Sequence, residues 1–133
     1  MKRVLFVCVE NSCRSQIAEG FTKQYGQGLI EAYSAGSRAS GAVNPMAIAV
    51  MKEVGVDISS NFSKGFDLLP VKRFDYVITL GCHDICPFFP ADHNIEWKIE
   101  DPNGKDISFF RETRDNILGH VKKLITDIAD SKP

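Results

Sequence analysis

The sequence predicts an α/β fold, a parallel sheet with helices on both faces. Three observations predict it. Short apolar runs rich in β-branched and aromatic residues have strand length, such as the one from Arg3 to Val7 and FDYVITL. Longer segments with apolar residues at helical spacing lie between them. The two kinds alternate along the chain, and such alternation requires crossover connections between parallel strands. At 133 residues the chain has the length of one domain, expected to span residues 1–133.

Each element follows from local signals. Arg3 to Val7 reads as a buried first strand. Ser15 to Tyr25 reads as a helix with Ile17, Ala18 and Phe21 on one face and Gly26 as its stop. Ile30 to Ser34 is a second short strand. Asn44-Pro45 starts the next helix, with Asn as N-cap and Pro at the first helical position. Its expected apolar face is Ala47, Ile48, Met51 and Val54, and Gly55 ends it. Phe74 to Leu80 is the third strand and Ile95 to Ile99 the fourth. The last helix covers Ile107 to Ile128, with Phe110, Ile117, Val121, Leu124 and Ile128 on one side. Neither a repeat nor a linker interrupts this order. Ligands of such sheets sit at the carboxyl ends of the strands. Cys8, Cys82 and Asp101 each follow a predicted strand, which puts all three on one rim.

Composition narrows the function classes. The chain is 44% hydrophobic and 25% charged, with a net charge of −1. That balance gives no general attraction to nucleic acid or to a membrane surface, so an anion site must be built locally. The apolar run from Val4 to Val9 is too short for a secretory signal core, and no segment approaches membrane-spanning length. A cytoplasmic location is expected, where thiols stay reduced. The four cysteines, Cys8, Cys13, Cys82 and Cys86, then suggest catalysis, redox chemistry or metal binding more than a static framework. Nothing suggests more than a monomer.

The stretch CVENSCRS carries the strongest chemistry. A loop between a strand end and a helix start turns successive N–H groups inward, and the helix dipole adds to them. Val9, Glu10, Asn11, Ser12 and Cys13 would form this cradle, and Arg14 adds a fork suited to a tetrahedral oxyanion. Positive potential at a helix start favours the thiolate form of a cysteine placed there. Cys8 is therefore a candidate nucleophile. Ser15 could hydrogen-bond its thiolate or simply be a helix-start hydroxyl. Asn11 suits a brace, because Asn tolerates left-handed backbone. Glu10 would repel an anion if it faced inward, so it is expected at the rim.

With CVENSCRSQIAEGF, YSAG, VNPMAIAVMKEVGVDIS, DYVITL and EDPNGK in this order and spacing, the chain resembles the low-molecular-weight tyrosine phosphatase superfamily. Within it, the similarity is greatest to the thioredoxin-coupled arsenate reductases. It extends over nearly the whole chain. The resemblance implies a four-stranded parallel sheet, Cys8 as nucleophile, Arg14 as oxyanion clamp and Ser15 as thiolate stabiliser. It also implies Asp101 as general acid, although Asp-Pro-Asn-Gly is equally a type I turn by composition. Phosphatases of this superfamily often carry an aromatic residue after Asp-Pro. Asn103 stands here instead and leans toward a reductase.

The segment TLGCHDICPFFP separates the two activities. Hydrolysis needs one thiol and water. Reduction needs two electrons, which further cysteines can supply. Cys8 would attack arsenate, Cys82 would attack Cys8 and release arsenite, and Cys86 would take over the disulfide. An intramolecular Cys82–Cys86 disulfide suits thioredoxin as reductant. Many thioredoxin-coupled members place the first redox cysteine directly after the leucine, with six residues before the second. Here Gly81 intervenes and three residues separate Cys82 from Cys86. A helical pair at that spacing lies about 6 Å apart by Cα, with side-chain directions that fit a disulfide poorly. A pliable segment that moves between redox states is expected. Inert buried thiols, or a zinc site with His83 and His93, are the alternatives at Cys82 and Cys86. Cys13 is either helix-start packing or the partner of Cys8 in a protective disulfide. Phe88, Phe89 and Trp97 read as packing, with partner docking near Cys86 as the other option.

In some arsenate reductases the equivalents of Asn11, Glu19 and Ser34 join an Asp to hold potassium behind the loop. Lys64 falls at the Asp position, so its ammonium is expected to replace the ion and pair with Glu19. No metal or cofactor is therefore expected. Arsenate is the expected substrate and phosphate its competitor. A phosphomonoester or phosphotyrosine phosphatase, and a non-enzymatic oxyanion or redox sensor, are the competing readings.

Overall fold

The computed structural model describes residues 1–81 and 90–131. The elements run β1 (Lys2–Cys8), α1 (Arg14–Tyr25), β2 (Ile30–Gly36), α2 (Pro45–Lys52), a one-turn 3-10 helix (Phe66–Leu68), β3 (Phe74–Leu80), β4 (Ala91–Trp97) and α3 (Ile107–Asp130). The four strands form one sheet in the order β2-β1-β3-β4, and each neighbouring pair is parallel. The carboxyl ends of all four strands therefore share one rim, the expected place for a site.

The period of two along β1 decides which way Cys8 faces. Val4, Phe6 and Cys8 enter the larger core, together with Ile17 and Phe21 of α1, Val50 and Met51 of α2, and Ile117 and Val121 of α3. Leu5 and Val7 point to the other face and pack with Ala35, Leu69, Phe74 and Val77. Helices lie on both faces, but unequally. The three α-helices line the first, and among the described residues the second carries the 3-10 turn and the segment after it. Each fully buried Phe or Ile of the larger core contributes roughly 1.5–3 kcal/mol.

Local chemistry sets the helix ends. The Asn44 side chain accepts a hydrogen bond from the Met46 amide at 2.8 Å, and Pro45 occupies the first turn of α2. Asp106 caps α3 by accepting from the Phe109 amide at 3.0 Å. After α2 the Val56 amide donates to Met51 and the Gly55 amide to Lys52, with Gly55 at φ 82°. This is the paired closure that a left-handed residue permits.

Two sequence expectations need correction. The fourth strand runs from Ala91 to Trp97, not from Ile95 to Ile99. It is an edge strand, and Asp92 to Glu96 are all exposed. Backbone pairing with Phe74–Leu80 sets its register, so polar residues serve and apolar alternation does not mark it. The buried face of α2 is Ala47, Val50 and Met51, with Ile48 only partly buried. Val54 lies beyond the helix in the closing turn and is exposed.

Candidate active site

The loop from Val9 to Cys13 joins β1 to α1, and the surrounding framework holds its carbonyls. Val9 C=O accepts from the Arg38 amide at 2.7 Å, and Ser12 C=O accepts from the Asn44 amide at 2.9 Å. Glu10 C=O accepts from the Ser63 hydroxyl at 2.6 Å and Asn11 C=O from Gln16 Nε2 at 3.2 Å. A planar trans peptide with its carbonyl engaged outside presents its N–H to the opposite side. The loop amides and the start of α1 then form a cradle for an anion. Gly36, at the end of β2, makes room for the loop. A Cβ there would lie 2.6 Å from Val9 C=O and 2.8 Å from the Asn11 amide nitrogen.

Asn11 is the keystone of this loop. It is fully buried, with φ at 53°, and is the only non-glycine residue of positive φ among the described residues. Its Nδ2 donates to Ser15 Oγ at 2.7 Å. Its Oδ1 accepts from Gln16 Nε2 at 2.9 Å and from the Lys64 amide at 3.0 Å. Every side-chain polar atom is used, which offsets both the left-handed backbone and the burial.

Cys8 Sγ lies 2.9 Å from Ser15 Oγ. The Asn11 amide already donates to that oxygen, so the Ser15 proton is free to point at sulfur. A hydroxyl placed this way would suit a sulfur anion as acceptor. Arg14 is 5% exposed. Its Nη1 donates to Ile99 C=O at 2.9 Å, and its Nη2 is 3.7 Å from Asp101 Oδ2. Its Nε is buried and has no partner among the described residues. A buried unpaired donor is costly unless a ligand takes it, and an oxyanion would. Asp101 is half exposed and also accepts from the Asn103 amide at 3.0 Å, an Asx turn. The backbone turn sits one residue later than the type I turn expected over 101–104, closed by the Lys105 amide donating to Pro102 C=O at 2.9 Å with Gly104 at φ 82°.

Cys13 is buried at the N-cap of α1, with Ser12 Oγ 3.8 Å from its sulfur. Burial pushes its thiol up to about 12, which keeps it neutral. It therefore stays a protonated thiol in the loop that follows Cys8. Glu10 is half-buried, and its carboxylate has no hydrogen bond or ion pair among the described residues. Behind the loop, Glu19 accepts from Ser34 Oγ, pairs with Lys23 at 2.5 Å and faces the Lys64 ammonium at 3.8 Å. Lys64 Nζ also donates to Ser34 Oγ at 3.4 Å. Burial lowers the Lys64 pKa and the Glu19 charge opposes that shift.

Cys8, Arg14, Ser15 and Asp101 thus converge on one rim, with Glu19, Ser34 and Lys64 as a layer behind the loop. Cys82, Cys86, His83, Phe88 and Phe89 lie outside the described residues. Trp97 is buried, stacks on His120 and meets Phe6 at a tilted 45°, while His93 stacks on Tyr76. Sequence reasoning missed Gln16, Ser63 and the Ile99 carbonyl. Gln16 was findable: it is a polar residue beside Ile17 in a short helix, and its amide bridges Asn11 to Phe62 C=O at 3.1 Å.

The low molecular weight phosphotyrosine protein phosphatase family model matches residues 3–133. Among curated relatives, a Synechocystis protein named glutaredoxin arsenate reductase is 42% identical over 132 residues, covering 97% of this chain and 100% of that one. A solved structure described as an arsenate reductase in the phosphate binding state is 41% identical with a TM-score of 0.86, covering 96% of this chain and 99% of that one. The Corynebacterium glutamicum thioredoxin-dependent arsenate reductase is 34% identical with a TM-score of 0.82, covering 99% of this chain and 64% of that one. The chain belongs to the low molecular weight phosphotyrosine protein phosphatase family and, within it, groups with the arsenate reductases.

Proposed function

We propose that this chain reduces arsenate to arsenite through a thiol relay that begins at Cys8. The observation that carries the reading is the joint placement of three groups. The Cys8 sulfur is hydrogen-bonded to Ser15, the Arg14 Nε is buried and unpaired, and the Asp101 carboxyl lies beside the same guanidinium. The likeness to arsenate reductases over nearly the full length supports arsenic over phosphorus as the electrophile.

In this reading the Cys8 thiolate attacks arsenic(V), and Asp101 protonates the departing oxygen, which leaves as water. Cys82 then attacks the Cys8 sulfur. The electron pair of the S–As bond stays on arsenic, arsenite leaves as arsenic(III), and a Cys8–Cys82 disulfide forms. Cys86 attacks Cys82, which frees the Cys8 thiolate and leaves Cys82–Cys86 oxidised. An external dithiol returns both electrons. Phosphate, with the same shape and charge, competes for the cradle. Lys64 stands in for a metal charge behind the loop, so neither potassium nor any cofactor is needed. The protein works as a monomer in the cytoplasm, where the thiols stay reduced.

Thioredoxin is the proposed reductant, as in the C. glutamicum relative. A second reading is favoured by the name of the Synechocystis relative, in which glutaredoxin takes that part. The test is arsenate-dependent NADPH oxidation with each reductant system, wild type beside Cys86→Ser. Turnover with thioredoxin that is lost in Cys86→Ser supports the three-thiol relay. Equal turnover in Cys86→Ser removes Cys86 from it. Turnover with glutathione and glutaredoxin alone replaces the reductant. No turnover with either system moves the phosphatase and sensor readings forward.

A further inference from the structure

We propose that Gly81 is a positioning residue for the oxyanion clamp: its missing side chain is the space that lets Arg14 Nη1 reach the Ile99 carbonyl. The inference rests on the oxyanion reading of the site.

Gly81 directly follows β3 and has φ 72°, a left-handed conformation that L side chains rarely adopt. A Cβ built on it would lie 2.4 Å from Arg14 Nη1 and 2.5 Å from Ile99 C=O. Those two atoms are the donor and acceptor of one hydrogen bond, 2.9 Å long. A methyl group at residue 81 would therefore sit on the bond itself. Other left-handed glycines behave differently. Gly28 has φ 79° and Gly55 φ 82°, and a Cβ on either would meet nothing within 4 Å. They answer only to the backbone, whereas Gly81 answers to the guanidinium as well.

The consequence concerns the orientation of Arg14. One guanidinium arm is tied to the loop that carries Asp101, while Nε remains without a partner among the described residues. Tying Nη1 fixes the plane of the fork, and a fixed fork loses less freedom when it binds an oxyanion. If Nη1 is displaced, the charge stays nearby but the orientation is lost. Gly81 would thus act on substrate binding without touching substrate.

The experiment is phosphate protection of Cys8 against iodoacetate, read on the Cys8 peptide by mass spectrometry. Wild type, Gly81→Ala and Gly28→Ala are compared, and Gly81→Ala is repeated in an Arg14→Lys background. Gly81→Ala is expected to need roughly ten- to a hundredfold more phosphate for half-protection, the range of one charged hydrogen bond. Gly28→Ala, with similar backbone strain and open space, is expected to match wild type. In the Arg14→Lys background the Gly81 change should add little further loss. Wild-type protection by Gly81→Ala, or an equal loss in Gly28→Ala, would overturn the inference. So would a double variant that folds no better than an unfoldable Gly81→Ala, because the clash would then lie with the Ile99 backbone. Wild type unprotected at any phosphate concentration would instead sink the oxyanion reading, and this inference with it.

Discussion

Replacing Glu19 by glutamine tests the layer behind the anion loop. The carboxylate is buried, with side-chain exposure of 5%, and the Lys64 ammonium facing it is 16% exposed. At 3.8 Å and an effective dielectric near 20, the pair attracts with about 4 kcal/mol. The amide would still accept from Ser34, and Lys64 would recover part of its hydration through the adjoining cleft. A net loss of roughly 2–3 kcal/mol is expected, below the usual cost of leaving a buried charge unpaired. For a chain of this size that lowers Tm by about 7–11 °C. The pH dependence has a definite sign. Burial already lowers the Lys64 pKa, and removing Glu19 lowers it further. Above that folded pKa the native state sheds the unpaired charge, while the unfolded lysine keeps its proton until about 10.4. The stability gap between variant and wild type should therefore narrow as pH rises from neutral toward 10. Urea denaturation at several pH values measures it. A gap below about 0.5 kcal/mol, or one that widens with pH, would refute the pairing as described.

Three further outcomes follow from the same site. Asn11→Ala forfeits three buried hydrogen bonds and forces alanine into left-handed backbone. It should cost about 3–5 kcal/mol by chemical denaturation. Ser15→Ala removes the hydroxyl 2.9 Å from the Cys8 sulfur. It should slow Cys8 alkylation at neutral pH roughly ten- to a hundredfold, with little change in fold by circular dichroism. Cys13, raised from 9.0 to about 12 by burial, should resist iodoacetamide at pH 8 while Cys8 reacts. Its contribution to stability should be intact below about pH 9 and decline from there toward 12, because the unfolded thiol ionises first.

Much of this site was legible because it is local. Cys8, Arg14 and Ser15 lie within eight residues of chain, and the strand, loop and helix that orient them are adjacent in sequence. The Asn44 cap was equally visible, since it needs only Asn, Pro and a helix. β4 is invisible to periodicity because an edge strand is held by its backbone, and Ala91 to Trp97 carry no alternating pattern. Val54 keeps the helical period of the preceding residues, but α2 ends at Lys52 and Val54 falls in the turn that Gly55 closes. Contacts over long separations were out of reach. Nothing in the residue types near Ile99 reveals that its carbonyl anchors a guanidinium 85 positions away, or that Gly81 leaves the space. Lys64 lay between these extremes. Resemblance puts it beside Glu19 and Ser34, and only the fold sets the pairing distance.

The most direct measurement is a single turnover without any reductant. Fully reduced protein is mixed anaerobically with excess arsenate, and arsenite and remaining thiols are counted together. A thiol relay predicts one arsenite formed and two thiols lost per chain in wild type, and neither arsenite nor thiol loss in Cys8→Ser. Thiols unchanged and no arsenite formed would contradict it, leaving an anion cradle that binds or hydrolyses without transferring electrons.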